Sequence, residues 1–156
     1  MSFLRLLMIL SLVLWIGGLV FFAIMAPTVF HTLPTRLMAG TLVGTLLGKM
    51  HWIAIFSGIV FLISSLLYSR LAEGEVQVLA GRHVLICLML GLTLISQFWI
   101  MPRMLTLRTQ VTNFDTAATL NQPARVQFDA LHKRSERMEQ AILLMGLVVI
   151  YLTASA

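Results

Sequence analysis

Four long runs of the chain contain no Lys, Arg, Asp or Glu, and they constrain its fold more than any other feature. The runs lie between Arg5 and Arg36, between Lys49 and Arg70, between Arg82 and Arg103, and after Glu139. Each can form the apolar helix of ~20 residues that crosses a bilayer core of ~30 Å. Membrane spans are therefore predicted at residues 3–26, 50–69, 82–102 and 137–154, within a single membrane domain of residues 1–156.

The composition and the connections indicate how these spans assemble. Hydrophobic residues make up 59% of the chain and charged residues 11%, whereas an ordinary soluble domain is roughly 25% charged. Asn121-Gln122-Pro123 is typical of a helix start, and a helix from there to Thr153 would be ~46 Å long. The predicted fold is all-α, an antiparallel four-helix transmembrane bundle whose helices 2–4 extend beyond the membrane on one side.

Two prolines and one polar segment suggest where the helices end or bend. Pro27 is expected to end or bend the first helix. Pro102 is expected to kink the third helix without ending it, because residues 103–109 remain helix formers. The short polar segment of residues 71–81 predicts a tight turn between the second and third helices.

Three glycines recur at every fourth position near the start of the second helix. Gly40, Gly44 and Gly48 leave one helix face without side chains over three turns. Such a face lets a neighbouring helix approach backbone to backbone. These glycines are therefore assigned a structural role, as a seam between helices.

The positive residues predict the orientation of the chain. All eleven Lys and Arg lie outside the apolar runs, without a basic face interleaved with aromatic residues, so nucleic-acid binding is not favoured. Three of them, Arg5, Arg70 and Arg82, fall on the side of the termini, and eight fall on the other side. Because positive residues favour the cytoplasmic side, both termini are predicted to be outside. The protein is expected to be an integral, multi-pass membrane protein, located in the inner membrane if the source is bacterial.

One polar stripe enters the last apolar run from its charged end. His132, Ser135 and Glu139 stand at i, i+3 and i+7 and share one helix face. Glu139 falls just inside the membrane interface, where an ionisable group is costly unless it is paired. The stripe is a candidate site for a ligand or a proton, with Ser135 as a hydrogen-bond donor. His51 and Arg103, from helices 2 and 3, are predicted to join it.

The same stripe can also have a purely structural role, which is more common than ligand binding for a charge as close to water as that of Glu139. In that interpretation Glu139 pairs with Arg103 or Arg137, His132 caps the interface, and helices 3 and 4 are locked together. Gln97 in the third span is another polar side chain that needs a partner from a neighbouring helix.

Methionines and histidines near the same membrane face raise two cofactor hypotheses. Thioethers with imidazoles suit Cu(I), and the candidate metal ligands are His51, His132, Met50 and Met101. Haem would need axial imidazoles that face a shared cavity, and His51 and His132 could supply them. Methionine is also an ordinary packing residue in such spans. The sequence has no nucleophile motif, phosphate loop, HExxH or CxxC pattern, so hydrolytic chemistry of the soluble type is not predicted.

Four groups of residues, spread over nearly the whole chain, form a recognisable pattern. They are Gly17-Gly18-Leu19-Val20-Phe21-Phe22, then Ala26-Pro27-Thr28-Val29-Phe30 with Leu33-Pro34, then Trp99-Ile100-Met101-Pro102-Arg103, and Phe128-x-x-Leu131-His132-x-x-Ser135. In this order they resemble the transmembrane protein 205-like family, small four-helix membrane proteins that are largely of unknown function. That family is more distantly similar to copper-resistance-D-like proteins and to the haem-dependent membrane protoporphyrinogen oxidase, so the resemblance implies metal or haem handling. At position 139 the family usually has Asn, whereas this chain has Glu.

The sequence favours a membrane protein that binds a small ligand or a metal ion at a polar site on one membrane face, and it favours a binding role over an enzymatic one without deciding between them. One alternative is a haem-assisted membrane oxidoreductase. The other is a membrane scaffold or assembly factor whose glycine faces bind another protein. The expected partners are the lipid bilayer and either a membrane-protein partner or a second copy of the chain.

Overall fold

Four long helices make up the computed structural model, which describes residues 2–74 and 79–155. The helices are α1, Ser2–Thr32; α2, Arg36–Glu73; α3, Gly81–Gln110; and α4, Pro123–Ala154. A 3₁₀ turn, Ala117–Thr119, lies between α3 and α4. All four helices are long and apolar enough to cross a membrane, and the described residues contain no strand. The prediction of an all-α four-helix transmembrane bundle is confirmed.

The helices run up and down in a closed ring, in which α1 packs on α2, α2 on α3, α3 on α4, and α4 on α1. Near the start of α1, the guanidinium of Arg5 lies 5.1 Å from the ring centroid of Tyr68, near the end of α2. At the start of α3, Arg82 donates a hydrogen bond to the hydroxyl of Ser69 on α2. These contacts establish the antiparallel order. We call the end of the bundle that carries both chain termini the termini end, and the opposite end the loop end.

Every helix is longer than a bilayer core requires. The four contain 31, 38, 30 and 32 residues, or roughly 45–57 Å against the ~30 Å of hydrocarbon. The sequence predicted such extension only for helices 2–4. The structure adds α1, because α1 continues through Pro27 as far as Thr32 and leaves only residues 33–35 as the first connection.

Pro27 does not end α1, and two threonine hydroxyls near it bond to helix carbonyls. A proline inside a helix removes one backbone donor, so a carbonyl of the preceding turn loses its partner. The hydroxyl of Thr28 donates to the carbonyl of Ile24 at 3.2 Å, and that of Thr32 donates to the carbonyl of Thr28 at 2.8 Å. Both acceptors differ from the carbonyl of Ala23, four residues before Pro27, which is the one that loses its backbone donor.

Pro102 has a different consequence in α3. Residues Ser96–Ile100 form a π-helical turn directly before it, and the helix then continues as Met101–Gln110. The prediction that Pro102 does not end the helix is confirmed. A π turn inserts one extra residue and breaks the 3.6-residue spacing, and Gln97 lies in this turn.

The apolar core combines side chains from all four helices. Its largest buried members are Trp15 from α1, Phe61 from α2, Ile86 and Met89 from α3, and Ile142 from α4. The outer surface is also apolar, with large exposed side chains on every helix. An exposed apolar surface of this extent is typical of contact with lipid.

The predicted glycine seam receives side chains instead of a helix backbone. A Cβ atom added to Gly40 or Gly44 would lie 3.5 Å from the guanidinium of Arg108, and one added to Gly48 would lie 3.3 Å from the end of Met101. The glycine face therefore makes room for long side chains of α3. The predicted backbone-to-backbone packing does not form at these three positions, because side chains occupy the space.

The tight helix contacts occur at two other glycines. A Cβ atom at Gly58 would lie 2.7 Å from the ring of Trp15 and 2.6 Å from Leu90. A Cβ atom at Gly146 would overlap the side chain of Ile16. Gly58 thus allows α1 and α3 to approach α2, and Gly146 allows α1 to approach α4.

The connection between α2 and α3 is described only in part. α2 ends at Glu73, and Gly74 follows with a φ angle of 74°, a left-handed conformation that glycine adopts without steric cost. Residues 75–78, which belong to the turn predicted over residues 71–81, lie outside the described residues.

Replacing Gly58 by Ala is expected to lower the free energy of unfolding by about 1–3 kcal/mol, because the added methyl group overpacks the contact with the Trp15 ring. Gly17→Ala is the matched control, since no atom lies within 4 Å of a Cβ atom there. The control should be neutral or stabilising by up to ~1 kcal/mol through helix propensity. Reversible unfolding in mixed micelles measures both, and equal stability of the two variants would contradict the packing assignment.

Candidate functional site

A fully buried histidine connects three helices in the loop-end half of the bundle. The side chain of His51, on α2, is 0% exposed. Its Nδ1 atom lies 2.9 Å from Oε1 of Gln97 on α3, and its Nε2 atom lies 2.8 Å from Oε1 of Glu139 on α4. We call these three residues the His51 centre.

Regular helical spacing turns two members of the His51 centre inward. On α2, His51, Ala54, Gly58 and Phe61 follow one another at steps of three and four residues, and all are buried. On α4, Glu139 belongs to the series Ser135, Glu139, Ile142, Gly146 and Val149, which has the same spacing. Side chains at such steps share one helix face. Gln97 reaches His51 from the π turn that precedes Pro102.

The bonding pattern assigns the protons of His51. The amide oxygen of Gln97 can only accept, so Nδ1 carries a hydrogen and donates it. The second contact, between Nε2 and the carboxylate of Glu139, then holds one shared proton. The pair is either imidazolium with carboxylate or neutral imidazole with carboxylic acid, and both forms carry no net charge. Zero net charge lowers the cost of burying the pair in an apolar bundle.

The structure brings together only part of the predicted site. His51 and Glu139 are in contact, and Gln97 has found the partner that its position required. Ser135 is buried on the same face of α4. The alternative pairing of Glu139 with Arg103 or Arg137 is not the one that forms, because His51 occupies the carboxylate.

The other two predicted members lie apart from the His51 centre. The side chain of His132 is 48% exposed, pairs with Glu136 on its own helix at 3.2 Å, and stacks on the ring of Phe128. Arg103 is exposed and lies 4.5 Å from the ring centroid of Trp99. His132 therefore does not face His51 across a shared cavity, as joint axial ligation of a haem would require.

At the loop end, cationic side chains close the bundle over the glycine face. The guanidinium of Arg108 lies against Gly40 and Gly44 and 5.5 Å from the ring centroid of Phe128. Arg125 is buried, pairs with Asp129 at 3.1 Å, and donates to the carbonyl of Phe114. The sequence predicted only a topological role for these arginines, although glycines at every fourth position leave a groove that a long side chain can fill.

The His51 centre contains nitrogen and oxygen atoms that can donate electron pairs to a metal ion. Met101 and Gln97 both approach Gly48, with the sulfur of Met101 at 3.7 Å and the Gln97 oxygen at 4.0 Å from the Cβ position there. Met50, the other candidate thioether, lies beside Gly18 on α1. Among the described residues, no group of three or more His, Cys, Asp or Glu could hold a metal ion. A metal ion would thus need the amide or a thioether as an additional ligand.

These observations define a helical membrane bundle with a buried polar centre. The chain belongs to the family described as Domain of unknown function (DUF4149), whose profile matches residues 10–113 of 156. The match covers most of α1 and all of α2 and α3, so it includes His51 and Gln97 but not Glu139. No significant match was found among curated proteins or among solved structures.

A double-mutant cycle with His51→Phe and Glu139→Met is expected to give a coupling free energy of about 1–3 kcal/mol, because each single change leaves a buried polar group without its partner. The exposed pair of His132 and Glu136 is the matched control, with an expected coupling of about 0.5 kcal/mol or less. Reversible unfolding in mixed micelles measures both cycles. Equal coupling in the two would mean that burial does not strengthen the His51 contact.

Proposed function

We propose that this protein binds a small cation at the His51 centre and handles a soft monovalent metal ion, Cu(I), which the imidazole of His51 and the thioether of Met101 suit. The observation that carries the proposal is the contact of 2.8 Å between the imidazole of His51 and the carboxylate of Glu139 inside an apolar bundle. An ionisable pair within a membrane helix bundle is costly to maintain and is a functional hypothesis by default.

The charges of the centre favour a monovalent cation as ligand. With its shared proton removed, the pair carries one negative charge, and one positive charge restores neutrality. Imidazole and thioether ligands suit Cu(I), and Met101 supplies a thioether next to Gln97. Two ligand atoms in tetrahedral geometry at bond lengths of about 2.0–2.1 Å lie roughly 3.3 Å apart. The two contact atoms, now 2.8 Å apart, would have to separate by only about half an ångström in that geometry.

The resemblance to the transmembrane protein 205-like family also supports a role in metal handling. Its distant similarity to copper-resistance-D-like proteins implies metal handling, and residues 99–103, which carry part of the resemblance, include Met101. In the proposal, the metal ion enters as the proton shared by His51 and Glu139 leaves.

Anaerobic titration of the purified protein with Cu(I), against a chromophoric copper chelator, tests the proposal. We expect one ion per chain and the release of about one proton per ion, because metal binding requires deprotonated ligands. His51→Phe should abolish binding, and Met101→Leu should weaken it at least tenfold, since each removes a proposed ligand.

Two variants serve as controls for that titration. His132→Ala removes an exposed imidazole and Met104→Leu removes another thioether of α3, and both should bind copper like the wild type. If the wild type binds no stoichiometric copper, or if His51→Phe binds as well as the wild type, the proposed function is wrong.

We also propose that the termini end faces outward and the loop end faces the cytoplasm. The distribution of eight positive residues against three supports this orientation. The termini end would then carry Ser2, and the loop end would carry Asn113.

Cysteine labelling in intact cells tests the orientation. In a Cys87→Ser background, a membrane-impermeant maleimide should label Ser2→Cys and should not label Asn113→Cys until the membrane is opened. The background variant removes the single native cysteine. Labelling in the opposite order would reverse the assignment.

A further inference from the structure

A second polar site lies at the termini end, at the far end of the bundle from the His51 centre. A cavity of about 200 Å³ opens there between α1, α2, α3 and α4. Its polar lining comes from Arg5, Tyr68, Arg82 and Thr153. We call it the arginine cavity. Its described lining contains two arginines and no carboxylate.

Arg82 is buried without an anionic partner among the described residues. The residue is 8% exposed, its Nη2 atom donates to the hydroxyl of Ser69 at 3.0 Å, and its Nε atom has no partner in that part of the chain. Arg125 is equally buried but is paired with the carboxylate of Asp129. Because a buried guanidinium needs charge compensation, Arg82 could accept an anionic ligand that none of residues 2–74 and 79–155 supplies.

The position of Arg82 in the helix adds to the positive potential of the cavity. Arg82 lies in the first turn of α3, which begins at Gly81 and has no acidic residue there. The N-terminus of a helix carries a partial positive charge, so a second positive charge is unfavourable and an anion is favoured. The guanidinium of Arg5, stacked on Tyr68, borders the same cavity.

An apolar groove continues from the arginine cavity along the outside of the bundle. It has a volume of about 460 Å³, runs between α1 and α4, and shares Ile9, Thr153 and Ala154 with the cavity. Its other lining residues include Val13, Ile16, Gly17 and Ile150. At Gly17 no atom lies within 4 Å of a Cβ position, so the groove is open at that point.

We propose that the arginine cavity and the apolar groove together bind one phospholipid, with its phosphate at Arg82 and Arg5 and an acyl chain along α1 and α4. The planar donors of arginine match the oxygen atoms of a phosphate group. The apolar groove begins at that phosphate position and follows the bundle toward the membrane core, which fits an amphipathic molecule. A free phosphate ion would use the cavity alone and leave the groove without a role.

Native mass spectrometry of delipidated protein, titrated with dioleoyl phosphatidylglycerol, tests the lipid site. We expect one lipid per wild-type chain and at least tenfold weaker binding by Arg82→Gln, which removes the buried charge. Arg70→Gln is the matched control, because Arg70 is an exposed arginine at the same end that does not line the cavity. Ser69→Ala removes the hydrogen bond of Arg82 but keeps its charge, and should retain the lipid.

Gly17→Phe tests the apolar groove independently of the arginine cavity. The added ring has room in the fold but fills the groove, so this variant should lose the lipid at least tenfold. It should still respond to inorganic phosphate in a thermal-shift assay, as the wild type should, because its arginine cavity is unchanged. If Arg82→Gln fails to fold, Arg5→Gln replaces it, because Arg5 is exposed and lines the same cavity.

Three results would overturn the assignment. One is equal lipid binding by the wild type and the arginine variant. Another is full lipid retention by Gly17→Phe. The third is thermal stabilisation by inorganic phosphate without any binding of phosphatidylglycerol, which would leave only a site for a free anion.

Discussion

The register of α2, α3 and α4 depends on one buried imidazole that only protein atoms can satisfy. His51 is fully enclosed, so neither water nor lipid can supply a partner to its two ring nitrogens. Gln97 and Glu139 do so from opposite sides. An unsatisfied group of this kind costs about 1–3 kcal/mol, whereas helices packed only by apolar side chains can slide or rotate at a smaller cost. The same contact is therefore a structural lock, and it is also where we propose that a metal ion binds.

The two ends of the bundle handle positive charge in different ways. At the loop end Arg125 is neutralised by Asp129, and Arg108 lies over an aromatic ring and two glycines. At the termini end Arg82 has a neutral hydroxyl as its described partner. Burial without a counter-charge is unfavourable unless a ligand provides it. The first end therefore closes the bundle, whereas the second is where we propose a binding site for an anionic headgroup.

Part of the candidate site could be predicted from helical periodicity. The stripe that contains Ser135 and Glu139 does face inward, and Gln97 does require a partner. His132 lies on the same stripe yet remains 48% exposed, because periodicity gives the direction of a side chain but not how far a neighbouring helix extends to cover it. The partner of Glu139 depended on how α2 and α4 are rotated toward each other, and the sequence has no local signal that fixes this contact.

The sequence by itself determined the number of helices, their apolar surface and the up-and-down order of the chain. These properties follow from the length of each charge-free run and from the high cost of placing charge in hydrocarbon. Only the tertiary structure decided which polar groups meet, that glycine faces receive Arg108 and Met101, and that Gly58 and Gly146 are the tight contacts. Those outcomes depend on how four similar apolar surfaces fit together, and many pairings of such surfaces have nearly the same hydrophobicity.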